Sequence, residues 1–236
     1  MKTAVVTGAS RGLGFGFVQN LLGQGYEVFA TYRALKDDEP LAQLNHPHLH
    51  KLTMDVTDST SIQTAYQAIS AKTDSLALLI NNAGINHDSP GMHKPSTTQL
   101  GHLQRTELLE MFDVNTIAPI MVVQTFVPLL ANAKVINISS YRASFTHRDE
   151  DGNYNNYGYA ASKVALNMMT RDLAHELAPH NAMVFAIDPG SVHTAMNQRG
   201  AQSPDEASEA ILKTVAKLKS VDSGKCFTNS GKRALL

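Results

Sequence analysis

Tyr159 and Lys163 stand four positions apart in Tyr159-Ala160-Ala161-Ser162-Lys163, so a helix beginning near Gly158 puts them on one face. A free phenol titrates near ~10, and a neighbouring ammonium favours phenolate, which moves the hydroxyl toward general-acid work near neutral pH. Tyr154 and Tyr157 are an internal control, because Gly158 and Ala161 follow them at the same interval. Of these three tyrosines, only Tyr159 has a lysine partner. Ordinary helix-surface neighbours would share that spacing, so the pair takes its meaning from its surroundings.

The segment Thr7-Gly8-Ala9-Ser10-Arg11-Gly12-Leu13-Gly14 ends a short apolar run and opens a helical one. Gly8, Gly12 and Gly14 permit a tight turn, close approach of a pyrophosphate and close packing of helix on sheet, with phosphate facing the helix amino terminus. The spacing is G-x-x-x-G-x-G, and simple turn chemistry is its alternative; the flanking strand and helix favour dinucleotide binding. Arg11 lies in this loop and Arg33 follows the second strand pattern. Two guanidinium groups suit a 2′-phosphate, and no carboxylate at that junction repels it, so NADP is expected ahead of NAD, with NAD still usable. Solvated surface arginines are the competing reading. His46, His48 and His50 are closely spaced, but they lack a nearby cysteine and an evident fourth ligand. A solvated loop is expected there, and no metal.

These residues need elements to position them. Short apolar runs, Ala4–Thr7, Val28–Thr31, Leu49–Met54, Leu76–Ile80, Val135–Ile138 and Val184–Ile187, alternate with helical spacing such as Leu13, Phe17, Val18, Leu21 and Leu22. Runs apolar on both faces suit parallel strands covered by helices above and below. Repetition of βαβ predicts an α/β fold: a doubly wound parallel sheet, Rossmann-like, with three αβα layers and a ligand crevice at the carboxyl ends of the strands. One domain over 1–236 is expected. Ser203-Pro204-Asp205-Glu206 carries a capping-box pattern and predicts a helix running to about Lys219. The polar segments 85–106 and 141–156 read as loops over the crevice.

Composition narrows the function classes. With 20 Lys+Arg against 21 Asp+Glu, the net charge is -1, so no global field holds a polyanion, and neither nucleic acid nor a membrane surface is expected as partner. The single cysteine, Cys226, excludes a disulfide framework and fits a reducing compartment. No secretory leader pattern is visible at the start, so a cytoplasmic protein is expected. The apolar stretch Ile117–Leu130 is interrupted by Pro119 and Pro128 and reads as a buried helix.

Taken together, the glycine loop, Asn81-Asn82-Ala83-Gly84, Asn137-Ile138-Ser139-Ser140, Tyr159 to Lys163 and Asp188-Pro189-Gly190 resemble the short-chain dehydrogenase/reductase family over nearly the whole chain. The ending, Ser223-Gly224-Lys225-Cys226-Phe227 and Ser230-Gly231-Lys232, looks like the C-factor-like carbonyl reductase branch. The resemblance implies an NADPH-dependent oxidoreductase acting on a small carbonyl or alcohol, with a homodimer or homotetramer formed through helices near Thr116–Leu130 and Tyr159–Leu177. It implies that Ser140 hydrogen-bonds the reacting carbonyl, Tyr159 protonates its oxygen, Lys163 binds the nicotinamide ribose and Asn115 supports a water-linked proton relay. Ser139 competes with Ser140 for the serine role. The cofactor would be held by Gly8, Ser10, Arg11, Gly12, Leu13, Gly14, Arg33, Asp55, Val56, Asn82, Ala83, Gly84, Tyr159, Lys163, Pro189, Gly190, Val192 and Thr194. Tyr32 stands where NAD-preferring members often carry an acid, and Asp55 fits either the adenine side or a strand-end turn. Two alternatives from other classes are a catalytically silent nucleotide-binding regulatory or interaction protein of the same fold, and a nucleotide-sugar epimerase, for which little chain remains after Gly190.

Overall fold

In the computed structural model, residues 1–89, 92–152, 154 and 156–234 are described, so positions 90, 91, 153 and 155 of the two predicted crevice loops lie outside the description. In chain order the elements are β1 (Thr3–Val6), α1 (Gly12–Gly23), β2 (Glu27–Tyr32), α2 (Pro40–Gln43), β3 (Leu49–Thr53), α3 (Ser59–Ser70) and β4 (Leu78–Asn81). There follow α4 (Lys94–Thr98), α5 (Arg105–Phe112), α6 (Ala118–Phe126), β5 (Lys134–Ile138), α7 (Phe145–Asp151), α8 (Tyr157–Glu176), β6 (Met183–Asp188), α9 (Pro204–Lys217) and β7 (Cys226–Thr228). The strands form one parallel sheet in the order β3-β2-β1-β4-β5-β6-β7. The order reverses between β1 and β4, which places the crevice of a doubly wound sheet beside the glycine loop.

The strand period of two feeds two cores. Ala4, Val6, Val28, Ala30, Ile136 and Ile138 point to the layer with Phe17 of α1 and Ile211 of α9. Val5, Phe29 and Val135 point to the other, with Ile62 of α3, Phe126 of α6 and Leu173 of α8. Gly16 makes the first layer possible, since a β-carbon there would lie 2.5 Å from the Pro204 carbonyl oxygen of α9.

The expected strands form with shifted ends, and the Ser203–Glu206 capping box starts α9 as read. Three features differ from expectation. β7 was not predicted, because three residues offer no readable period. The predicted loops contain α4 and α7, short helices with no apolar period to read: the residues α4 buries, Ser96, Thr97 and Thr98, are polar, and Phe145 of α7 is exposed. The apolar helix is longer than Ile117–Leu130: a helical run extends over Arg105–Leu129, long and apolar enough by composition to cross a membrane, and half of it is buried inside the fold. Its centre, Asp113–Ile117, is a π-helical turn, a feature often found at functional sites.

Candidate active site

The crevice starts at the β1–α1 turn. Gly8 and Gly12 have φ of 63° and 57°, in the left-handed region where a β-carbon is strained. A β-carbon at Gly8 would come 2.8 Å from Ala83 Cα, and one at Gly14 would lie 2.2 Å from the Gly8 carbonyl oxygen. Thr7 Oγ1 accepts the backbone N–H groups of Asn82 and Ala83, each at 3.0 Å, while Asn82 Nδ2 donates to the carbonyls of Thr7 and Gly8 at 2.9 and 3.0 Å. This cross-bonding holds the glycine loop against the end of β4. No side chain caps the amino terminus of α1, whose first turn contains no acid, so its amides and dipole suit a pyrophosphate. Leu13 is buried in the core beneath, and Thr194 closes over Gly12.

At the second strand end, Arg33 is exposed. Arg11 is not a free cation: it pairs with Glu39, which also accepts from Ser10 Oγ. The expectation of a junction without a carboxylate is therefore corrected. Glu39 comes from beyond β2, and its backbone lies next to the loop because Leu41 N–H donates to the Ser10 carbonyl at 3.3 Å. Asp55 Oδ1 accepts from Thr57 N–H and Oγ1 at 2.9 and 2.7 Å, which builds the turn into α3; Val56 is half-buried beside it. On the far side, Gly190 has φ of 76°, Asn229 Nδ2 donates to the Pro189 carbonyl at 2.9 Å, and Val192 is buried.

The residues expected to be catalytic gather between β5 and α8. Ser139 and Ser140 follow directly on β5, and the backbone at Ser140 is still extended, so the two side chains turn into different surroundings. Ser139 Oγ donates to Asn167 Oδ1 at 2.6 Å inside the protein, whereas Ser140 Oγ accepts the Arg142 N–H at 3.2 Å and lies on the side of the Tyr159 phenol, whose titration it lowers. Asn156 Oδ1 caps α8 by accepting Tyr159 N–H, and its Nδ2 meets His87 Nδ1 at 3.3 Å. Lys163 is buried; its Nζ donates to the Ile138 carbonyl at 2.7 Å and lies 5.8 Å from the Tyr159 ring centroid. Asn115, in the π-helical turn, bonds Ile85 both ways, accepting from N–H at 2.9 Å and donating to the carbonyl at 2.8 Å, and also donates to Ser162 Oγ at 3.1 Å. Gly84 lies over these groups: a β-carbon there would be 3.2 Å from Asn115 Oδ1 and 3.7 Å from Lys163 Nζ.

Electrostatics departs from the simple pairing of phenol and ammonium. Burial pushes the Tyr159 hydroxyl up to about 12; Ser140 and the Arg142 guanidinium act the other way, and the Asp188 carboxyl adds to the rise. Burial also lowers Lys163 to about 8. The expected lowering of the phenol by Lys163 is not what the chain shows, because enclosure disfavours phenolate and ammonium alike. Tyr159 is thus held neutral, with its proton in place. Asp188, itself raised by burial, accepts from Gly190 N–H at 3.1 Å. Burial lowers His87 too.

Among the described residues, no group of three or more His, Cys, Asp or Glu is disposed to hold a metal. His50 stacks on Phe29 and pairs with Glu27, apart from the tilted His46–His48 pair. Sequence reasoning missed Glu39, Asn156, Ser162 and the bridging role of Thr7. Of these, Asn156 alone carried a local signal, an N-cap type three residues before Tyr159.

Residues 2–205 match the family model described as short chain dehydrogenase. A relative from Helicobacter pylori, described as a probable short-chain type dehydrogenase/reductase, VdlC, is 33% identical over 229 residues, covering 94% of this chain and 76% of its own. The NADPH-bound carbonyl reductase from chicken fatty liver superposes with a TM-score of 0.87 at 32% identity, over 100% of this chain and 99% of that one. Carbonyl reductase Sniffer of D. melanogaster gives a TM-score of 0.87 at 28% identity, with 100% of both chains covered.

Proposed function

The chain belongs to the short-chain dehydrogenase family of oxidoreductases, and from that premise we propose that it is an NADPH-dependent reductase of aldehydes or ketones with Tyr159 as proton donor. The observation that carries this reading is the enclosed Tyr159 phenol with the buried Lys163 Nζ 5.8 Å from its ring centroid, where burial keeps the phenol neutral and Ser140 acts on its titration. NADPH fits the residues present: the uncapped α1 terminus suits its pyrophosphate, Arg11 and Arg33 its 2′-phosphate, and the side-chain-free space over Gly84 its nicotinamide end. Bound there, it supplies the hydride.

The protein's own residues do the rest. A carbonyl oxygen between the Ser140 and Tyr159 hydroxyls accepts from both, so the two stabilise charge as it develops. Tyr159 gives up its proton to that oxygen, and the Lys163 ammonium favours the phenolate left behind. Asn115 holds the Ile85 backbone and the first turns of α8 in register, and supports proton resupply. On this reading the enzyme works as a cytoplasmic homodimer or homotetramer, and exposed Leu109, Ile117 and Met168 on the helices around the site support a subunit contact.

A panel of aldehydes, ketones and quinones, monitored for NADPH loss, tests this function. Carbonyl-dependent oxidation of NADPH is expected. NADPH binding without consumption across the panel would instead identify the silent nucleotide-binding protein of the same fold, which no structural observation favours.

A further inference from the structure

Glu39 is a buried carboxylate between β2 and α2 that faces the glycine loop. Its Oε1 lies 2.5 Å from Arg11 Nη1 and accepts from Ser10 Oγ at 3.3 Å, while Oε2 accepts the Lys36 backbone N–H at 3.2 Å. The Glu39 side chain is 8% exposed, against 51% for Arg11. One end of the pair is therefore anchored in the protein, and the other is a long side chain at the surface that can turn away.

Resting on the NADPH reading above, we propose that Glu39 is a built-in anion that competes with the cofactor's 2′-phosphate for Arg11 and Ser10, and so limits the preference for NADPH over NADH. A phosphomonoester carries about −1.5 to −2 charges at pH 7 and takes the same charge-assisted bonds that the carboxylate now accepts. To reach it, Arg11 must leave Glu39. The carboxylate stays behind, held by Lys36 N–H, and repels the incoming phosphate. NADH has no such group and leaves the Arg11–Glu39 pair intact. The cost of Glu39 thus falls on one cofactor only, which makes it a specificity determinant separate from the arginines.

Glu39→Gln removes the charge while keeping the shape and an acceptor for Lys36. Dissociation constants for NADPH, NADH and 2′,5′-ADP are to be measured by calorimetry on wild type and variant. NADPH and 2′,5′-ADP are expected to tighten about ten-fold, about 1.4 kcal/mol, with NADH unchanged within about two-fold. That gain should shrink with added salt, because Arg11 is half exposed. An equal change for all three ligands, no change, or weaker NADPH binding overturns the proposal. A wild type that prefers NADH, with a variant that still tightens NADPH selectively, overturns the cofactor reading alone; a wild type that prefers NADPH, with an unresponsive variant, overturns the proposal alone. A crystal structure of wild type with 2′,5′-ADP gives a second check that needs no substitution. Arg11 is expected on the phosphate and off Glu39, and a persisting Arg11–Glu39 pair refutes the competition.

Discussion

The carboxamide oxygen of Asn156 accepts the backbone N–H of Tyr159 at 3.2 Å, so the residue that caps α8 also fixes the turn from which the Tyr159 phenol projects. Loss of an N-cap side chain costs about 0.5–2 kcal/mol. Asn156→Ala should therefore lower the unfolding free energy by that amount and reduce turnover together, while Asn156→Asp, which keeps the acceptor, should recover most of the stability. Unchanged stability in the alanine variant would show that the cap is dispensable.

Tyr159→Phe keeps the ring and removes the proton. General acid catalysis contributes about 10²- to 10⁴-fold, so single-turnover reduction should fall within that range while NADPH affinity, read by fluorescence, stays near wild type. Near-normal turnover in the folded variant would remove Tyr159 from its role.

Lys163 is held near 8 against an ordinary 10.5 by burial, which has a consequence for stability. Between those values the unfolded chain binds more protons than the folded one, so this residue makes stability rise with pH across the window, and its burial cost is fully present below it. Lys163→Met should gain on wild type at pH 7, and that difference should shrink as pH rises from 8 toward 10. Chemical denaturation at several pH values checks it, and a pH-independent difference would mean that the lysine is not buried as an ammonium.

Gly14 and Gly23 lie at opposite ends of α1 and should respond oppositely to alanine. At Gly14 the added carbon would lie 2.2 Å from the Gly8 carbonyl oxygen and 2.5 Å from Asn82 Nδ2, whereas at Gly23 nothing stands within 4 Å. Gly14→Ala should destabilise by about 1–3 kcal/mol or more and abolish dinucleotide binding. Gly23→Ala should stabilise by about 0.5–1 kcal/mol. Thermal melts and NADPH titration distinguish the two.

Removing Arg11 or Arg33 should weaken NADPH more than NADH, since a hydrogen bond to a charged group contributes about 1.5–3 kcal/mol. Adding an acid, in Tyr32→Asp/Arg33→Ala, should go further by repelling the phosphate while accepting the unphosphorylated ribose. Equal weakening of both cofactors in binding assays would refute the phosphate clamp.

Much of this molecule was legible in the chain because its chemistry depends on local spacing. Three glycines must surround one turn, a tyrosine and a lysine must share one helix face, and Ser203 must meet Glu206 across a single turn of α9; each requirement spans a few residues and leaves a mark in sequence. Strands buried on both faces announced themselves the same way, through continuous apolar runs. The tertiary structure decided whatever depends on groups distant in the chain. Arg11 meets Glu39 across 28 positions, and no periodicity records that approach. Of two adjacent serines, Ser139 bonds Asn167 inside the protein while Ser140 lies on the side of Tyr159, a choice made by the extended backbone that leaves β5 against the placement of α8. The protonation of Tyr159 and Lys163 was likewise set by enclosure, because the free energy of a charge depends on the whole surroundings that exclude water, and spacing along the chain carries no record of them.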